Sequence, residues 1–122
     1  MAFFLAAFGS LGDPPKPAVR TSLLKLIASP EATDGRRVMS EGYLVLEQEG
    51  DALYVAEADF VHGLTLNAVY LHLTEQERAA YAALNKKYVT VIGVHRPKDR
   101  GHMSVFSGSL RLEKLWAHTE RD

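Results

Sequence analysis

Residues 67–73, NAVYLHL, alternate strictly between apolar and outward-directed side chains. Val69, Leu71 and Leu73 fall on one side of an extended chain, whereas Tyr70 and His72 fall on the other. A period of two is typical of a strand with one buried face. Segments rich in β-branched and aromatic residues predict more strands, and their order limits the fold: RRVMSEGYLVLEQ, ALYVAE, KYVTVIGVHRP and SVFSGSLRLEKLW.

Two helices are predicted among these strands. TSLLKLIASP places Leu23, Leu24 and Ile27, with Leu26 beside them, on one helical stripe that ends at Pro30. Thr21 or Ser22 is the expected N-cap of this helix. The second helix, residues 75–84, opens with Thr74 and Glu77 at the spacing of a capping box and separates the third strand from the fourth.

The resulting order is helix, three strands, helix, two strands. Five strands with a helix between the third and the fourth predict a mainly β protein, a Greek-key barrel like the OB-fold. Gly42, Gly93 and Gly108 interrupt the strand patterns where a small barrel needs bends or bulges.

The length of 122 residues fits one domain. The absence of cysteine excludes disulfides and thiolate chemistry, and the formal net charge of −1 gives no surplus of cations for general phosphate binding.

Residues 1–19 are predicted to lie outside the barrel, which would occupy residues 20–122. MAFFLAAFGSLG is too short to span a membrane, but it suits the apolar region of a signal peptide that starts upstream of Met1. The alternative is a short apolar tail that packs on the domain or stays loose. Prolines make GDPPKPAVR a linker. The chain as written indicates a cytoplasmic protein, whereas a truncated signal indicates the periplasm or cell envelope.

A resemblance covers residues 23–116. LLKLIASPEATDGRRVMSEGYL, followed by ALYVAEADF, NAVYLHL, KYVTVIGVH and GHMSVFSGSLRL, resembles a group of small, mostly uncharacterised bacterial OB-fold proteins. The resemblance implies the fold and its topology. It transfers no catalytic residue, and fold alone does not establish function.

Enzyme motifs are absent from the sequence. It contains no phosphate-binding glycine loop, no dinucleotide fingerprint and no pair of histidines at i, i+4 spacing. Ser104 and Ser107 lie near His102, and His62, Asp59, His95 and His102 could meet only in space. We therefore predict no catalytic residue, no metal site and no cofactor.

The expected binding surface is the face of the second and third strands, with its flanking loops. Tyr54 and Tyr70 would point outward there, either as stacking platforms or as a cross-strand pair covered by the N-terminal segment. One flanking loop is acidic, with Glu47, Glu49 and Asp51. The candidate ligand-binding residues are Tyr54, Tyr70, and Arg96, Lys98, Arg100 and His102 of the opposite, basic loop.

The sequence thus favours a non-enzymatic binding module for a protein or a small ligand. The alternative is a single-stranded nucleic-acid-binding protein that uses the tyrosines and the basic loop. An acidic loop on one bank of a phosphate groove disfavours that alternative. His102 is expected to hydrogen-bond within its loop or to the barrel rim, or else to contact a ligand.

Overall fold

A computed structural model describes residues 16–121. The strands are β1 (Val19–Arg20), β2 (Arg37–Val45), β3 (Ala52–Tyr54), β4 (Ala68–His72), β5 (Tyr88–Arg96) and β6 (Ser109–Ala117). The α-helices in this part of the chain are α1 (Leu23–Ala28), α2 (Glu57–Val61) and α3 (Glu75–Ala80). Short 3₁₀ turns lie at Pro30–Thr33, Thr65–Asn67, Ala82–Leu84 and His102–Ser104.

Strands β2 to β6 close a barrel. The order β2-β3-β4-β6-β5 returns to β2, because β2 pairs with β3 along one edge and with β5 along the other. β4 and β6 pair in parallel, and the other barrel pairs are antiparallel. This arrangement confirms the predicted five-stranded OB-fold-like barrel. β1 is an additional strand, parallel to β2, and it begins one residue before the predicted start of the domain at Arg20.

Inward side chains from every barrel strand fill the interior, and α1 closes one end. Leu23 and Leu26 of α1 are buried in this core, and Ser22 is the N-cap, since its hydroxyl accepts a hydrogen bond from the Lys25 N–H. The prediction was wrong for Leu24, which is 63% exposed. Successive helical residues lie about 100° apart, so Leu23 and Leu24 cannot both point into one narrow interface. The barrel strand residues of this core are Val38, Leu44, Leu53, Val69, Leu71, Val89, Val91, Leu110, Leu112 and Leu115.

The helix between the third and fourth barrel strands is shorter than predicted. α3 ends at Ala80, and a 3₁₀ turn over Ala82–Leu84 replaces its last predicted turn. The capping box is confirmed: the Glu77 N–H donates to the Thr74 hydroxyl, and the Thr74 N–H donates to the Glu77 carboxylate. No helix among residues 16–121 is long and apolar enough to cross a bilayer.

Two of the predicted glycine positions shape the barrel. The pairing of β5 with β6 shifts between Ile92 and Gly93, which places a bulge there. At Gly42 a Cβ would lie 2.6 Å from the Tyr54 carbonyl oxygen, so only glycine lets β2 pass this close to β3. Gly108 does not interrupt a strand; it lies just before β6, with φ +108.

His95 of β5 is completely buried at the end of the barrel near the Pro30–Thr33 turn. Its Nδ1 lies 2.8 Å from the Thr33 hydroxyl, and no group within residues 16–121 hydrogen-bonds to Nε2. Burial lowers the pKa of His95, although the nearby Asp34 carboxylate opposes this shift. The folded state therefore favours the neutral imidazole.

This burial predicts a loss of stability in acid. Because the pKa of His95 is depressed in the folded state, its contribution is fully present above the unfolded pKa of about 6.5 and declines as the pH falls below that value. We expect the free energy of unfolding to decrease as the pH is lowered through about 6.5. Denaturant unfolding should show a smaller drop for His95→Gln, while His62→Gln, at an exposed histidine, should behave like the unaltered protein. Equal pH dependence in all three proteins would contradict the assignment to His95.

Candidate functional site

The outer face of β3 and β4 is where small barrels of this type usually bind ligands. The antiparallel register places Tyr54 opposite Ala68 and Ala52 opposite Tyr70. All four side chains belong to a second apolar cluster outside the barrel interior, together with Tyr43, Val45 and Phe106. The two tyrosines therefore lie on the predicted face of the predicted strands.

Phe60 of α2 covers one half of this face. Its ring centroid lies 5.5 Å from that of Tyr54 and 6.3 Å from that of Tyr43. As a result Tyr54 is only 5% exposed, and burial, followed by the negative charge of Glu47, raises the pKa of its phenol. The predicted stacking platform at Tyr54 is therefore closed, because α2, in the excursion between β3 and β4, occupies the place that a base or sugar would take.

The β5–β6 connection, residues 97–108, covers the other half and is called the covering loop below. The ring of Phe106 lies 5.5 Å from that of Tyr70. Gly101 packs so closely on Tyr70 that a Cβ there would lie 2.5 Å from the tyrosine Cγ. Its φ of +73 is also unfavourable for other residues. Burial raises the pKa of Tyr70, and the charge of Asp51 adds to the shift. Within residues 16–121, α2 and this loop cover the tyrosines; the predicted alternative, a cover by the N-terminal apolar segment, concerns residues that lie outside this part of the chain.

Polar contacts stabilise the covering loop internally, and one joins it to β4. The Arg100 Nε donates to the Phe106 carbonyl oxygen at 2.9 Å, and the Gly101 N–H donates to the Asp99 carboxylate at 3.1 Å. Asp99 also hydrogen-bonds to the ring of His72 on β4. Although burial acts in the opposite direction, the Gly101 N–H and His72 hold the pKa of Asp99 below its usual value.

The acidic and basic loops that flank this face contact each other. His102 Nε2 lies 3.4 Å from a Glu49 carboxylate oxygen, so His102 bridges the covering loop to the β2–β3 loop. The exposed fraction of the His102 side chain is 48%, which fits a bridging group at the surface. The sequence predicts that these two loops lie on opposite banks of a groove, whereas in the structure they meet.

Asp51 does not contribute to an exposed acidic loop. Its side chain is 3% exposed, and both of its carboxylate oxygens accept hydrogen bonds from the Arg78 Nε, at 3.1 and 3.2 Å. Arg78 lies on α3, so the pair ties α3 to the β2–β3 loop. The hydrogen bonds that Arg78 donates to Asp51, and the negative charge of Asp51, raise the pKa of Arg78. Asp51 and Arg78 therefore form a structural ion pair.

The remaining candidates from the basic loop are exposed. Arg96 ends β5 with its side chain outside the barrel, and Lys98 and Arg100 are exposed in the covering loop. Tyr54 and Tyr70 lie beneath the cover, whereas these three cations lie on or beside it. The structure thus does not join the tyrosines and the cations into one open groove.

The elements that cover the face are themselves apolar on their outer side. Val61, Leu64 and Leu66, in and after α2, are 66%, 49% and 58% exposed. Met103 and Val105 of the covering loop are 76% and 40% exposed. These five side chains are called the apolar cover below.

The two segments of the apolar cover touch each other. The Ser107 hydroxyl donates to the Leu66 carbonyl oxygen at 2.6 Å, and the Ser107 N–H donates to Ala68 at 3.0 Å. Met103 and Ser104 have φ values of 61 and 56, in a region that costs a non-glycine residue roughly 1–2 kcal/mol. The backbone conformation at the tip of the loop therefore keeps the Met103 side chain exposed to solvent, at an energetic cost.

The histidines considered for a metal site lie apart. His95 is in the core with Thr33, His102 faces Glu49, and Asp59 is engaged by the Ala56 N–H and the Asn67 amide. No group of three potential ligands suited to a metal ion occurs within residues 16–121.

Comparisons with known proteins add no family assignment. No protein-family model matches this sequence, and no curated protein is significantly similar to it.

Proposed function

We propose that this protein is a non-catalytic, OB-fold-like binding module whose partner is another protein. The apolar cover carries the proposal: five exposed aliphatic or thioether side chains lie on two contacting segments that close the β3–β4 face. Exposed apolar surface of this kind is typical of protein–protein contact sites. We further propose that the protein is bacterial, that it belongs to the OB-fold group named above and that it functions in the cell envelope.

A small ligand is less well supported at this face. Phe60 and Phe106 fill the space over Tyr54 and Tyr70 with apolar rings, so a ligand would first have to displace them. A protein partner needs no such displacement, because it would bury the outer side of the cover. Methionine suits such a contact, since its flexible thioether adapts to an irregular surface.

Changes in the apolar cover test this proposal. A double variant, Leu66→Ser with Met103→Ser, should lose a partner that the unaltered full chain retains in affinity capture. Once that partner is purified, we expect its dissociation constant to rise by about thirtyfold or more, as for central contact residues. Leu24→Ser is the matched control, because the exposed fraction of Leu24, 63%, falls between those of Leu66 and Met103 but Leu24 lies on α1.

Two results would overturn the proposal. One is equal partner binding by the double variant and the unaltered protein. The other is a sub-micromolar, salt-sensitive complex with a labelled single-stranded oligonucleotide that disappears in Tyr70→Ala, which would support the nucleic-acid alternative. We expect only weak, non-specific oligonucleotide binding, roughly 10⁻⁴ to 10⁻⁶ M at physiological salt.

A further inference from the structure

Charge is strongly segregated along this nearly neutral chain. Residues 38–77 contain eight acidic residues and no lysine or arginine, whereas residues 78–117 contain eight basic residues and two acidic ones. The acidic stretch runs from β2 through β3 and α2 to the first turn of α3. The basic stretch contains β5, the covering loop and β6. The net charge of the chain conceals this asymmetry.

Strand pairing gathers part of the basic stretch on one outer surface, made by β2, β5 and β6. Val94 of β5 lies between Arg111 of β6 and Arg37 of β2, each directly across from it. Two residues earlier on the same face of β5, Ile92 lies between Lys114 and Met39. Side chains directly opposite each other in a sheet are neighbours with Cβ atoms about 5 Å apart.

This surface, called the basic face below, is defined by the four cations Arg37, Arg96, Arg111 and Lys114. Its centre is aliphatic, because Ile92 and Val94 are only partly buried there. Trp116, which is 41% exposed, lies at one end, across from Thr90. A groove of about 380 Å³ beside Arg37 adds Lys16 and Arg36. Cations thus surround an apolar strip.

The cations of the basic face are mostly free to meet a partner. Arg37 forms an ion pair with Glu113, which projects at the bulge of β6. For Arg96, Arg111 and Lys114, no carboxylate from the part of the chain that the structure describes lies within 4.0 Å. Three exposed guanidinium or ammonium groups therefore remain for carboxylates from another molecule.

We propose that the basic face is a second docking site, distinct from the apolar cover, and that it binds an acidic, partly apolar polypeptide segment. The carboxylates of the segment pair with Arg111, Lys114 and Arg96, and its apolar side chains pack on Ile92, Val94 and Trp116. Arginine favours this role, because its planar guanidinium can bind a carboxylate through two hydrogen bonds.

Two carboxylates on the same surface favour a polypeptide over a nucleic acid. Glu113 lies between Leu112 and Lys114, and Glu41 lies across β5 from Trp116, beside Thr90. A nucleic acid carries a charge at every phosphate, so a strand crossing this surface would bring phosphates near both groups. A polypeptide can place neutral residues opposite them.

Fluorescence anisotropy with the full chain tests the site. The probe is a fluorescein-labelled peptide in which glutamate alternates with leucine, compared with the same peptide carrying glutamine for glutamate. We expect binding of the acidic peptide that weakens with added salt, and a loss of at least about tenfold in affinity for Arg111→Glu with Lys114→Glu. Lys25→Glu with Lys87→Glu makes the same change in net charge at exposed positions elsewhere and should alter the affinity less than about twofold.

Several outcomes would overturn this assignment. The first is a failure of the acidic peptide to bind, and the second is equal binding of the glutamine peptide. The third is equal weakening of peptide binding by the two double variants, once circular dichroism shows that both are folded. Tighter binding of an oligothymidylate that displaces the peptide would assign the face to nucleic acid. Self-association in sedimentation velocity that Arg111→Glu with Lys114→Glu abolishes would assign it to the acidic side of a second copy. None of these results depends on the apolar cover, so the two proposals fail separately.

Discussion

Replacing Leu26 by alanine is expected to lower the free energy of unfolding by about 3 kcal/mol, within the usual range of 2–5 kcal/mol for a buried leucine. Leu26 is completely buried, and it packs in the core that α1 shares with the barrel strands. The substitution removes apolar contacts and leaves a cavity at the end of the barrel, where the fixed strands limit relaxation. Urea denaturation of the full chain measures the change.

Leu24→Ala is the matched control for this experiment. Leu24 lies on the same short helix, so helix propensity changes equally, but its side chain is 63% exposed. We expect its effect to stay within about 0.5 kcal/mol, as for most surface substitutions. Equal destabilisation by the two variants would mean that α1 is not seated on the barrel as described.

Replacing Arg78 by methionine is expected to cost about 3 kcal/mol of stability, the lower end of the range for removing one member of a buried ion pair. The cost arises because the Asp51 carboxylate, whose side chain is 3% exposed, remains buried and loses the hydrogen bonds that Arg78 donates to it. Thermal or urea unfolding measures the loss. The solvent access of Arg78, whose side chain is 34% exposed, is why we expect the lower end.

Two further variants separate the ion pair from a general effect of charge. Arg20→Met breaks the pair between Arg20 and Glu41, which are 78% and 42% exposed, and should change stability by less than about 1 kcal/mol. Asp51→Asn combined with Arg78→Met should be more stable than Arg78→Met alone, because the uncompensated buried charge is gone. If the double variant is no more stable than the single one, the cost does not arise from the buried carboxylate.

Local patterns were sufficient for the five barrel strands, α1 and α3 and for their order, but not for β1 or α2. Alternation in residues 67–73 predicted β4, and the spacing of Thr74 and Glu77 predicted the start of α3, since a capping box depends on residues close in sequence. The number of strands and the helix between two of them then favoured one closed topology. Leu24 shows the limit: the apolar pattern of a six-residue helix does not say which of two adjacent leucines faces the barrel.

The state of the candidate site depended on contacts distant in sequence. That Tyr54 and Tyr70 share the outer face follows from strand periodicity, but their cover does not, because Phe60 and Phe106 come from connections without a repeating pattern. The excursion after β3 showed only that something longer than a tight turn was present. Phe60 was the available signal for this cover, since a large apolar side chain in a connection usually packs on an apolar surface.

Local sequence patterns are enough to predict the five-stranded barrel, the helix between β4 and β5 and the lack of known enzyme motifs, because periodicity, capping and turn residues act over a few positions. Which faces of the barrel are open depends on the fold as a whole. Pairing of β5 with both β2 and β6 sets Arg37 and Arg111 on either side of Val94, and folding of the covering loop places Gly101 against Tyr70. Both depend on register and chain closure, so residues far apart in sequence fix them together.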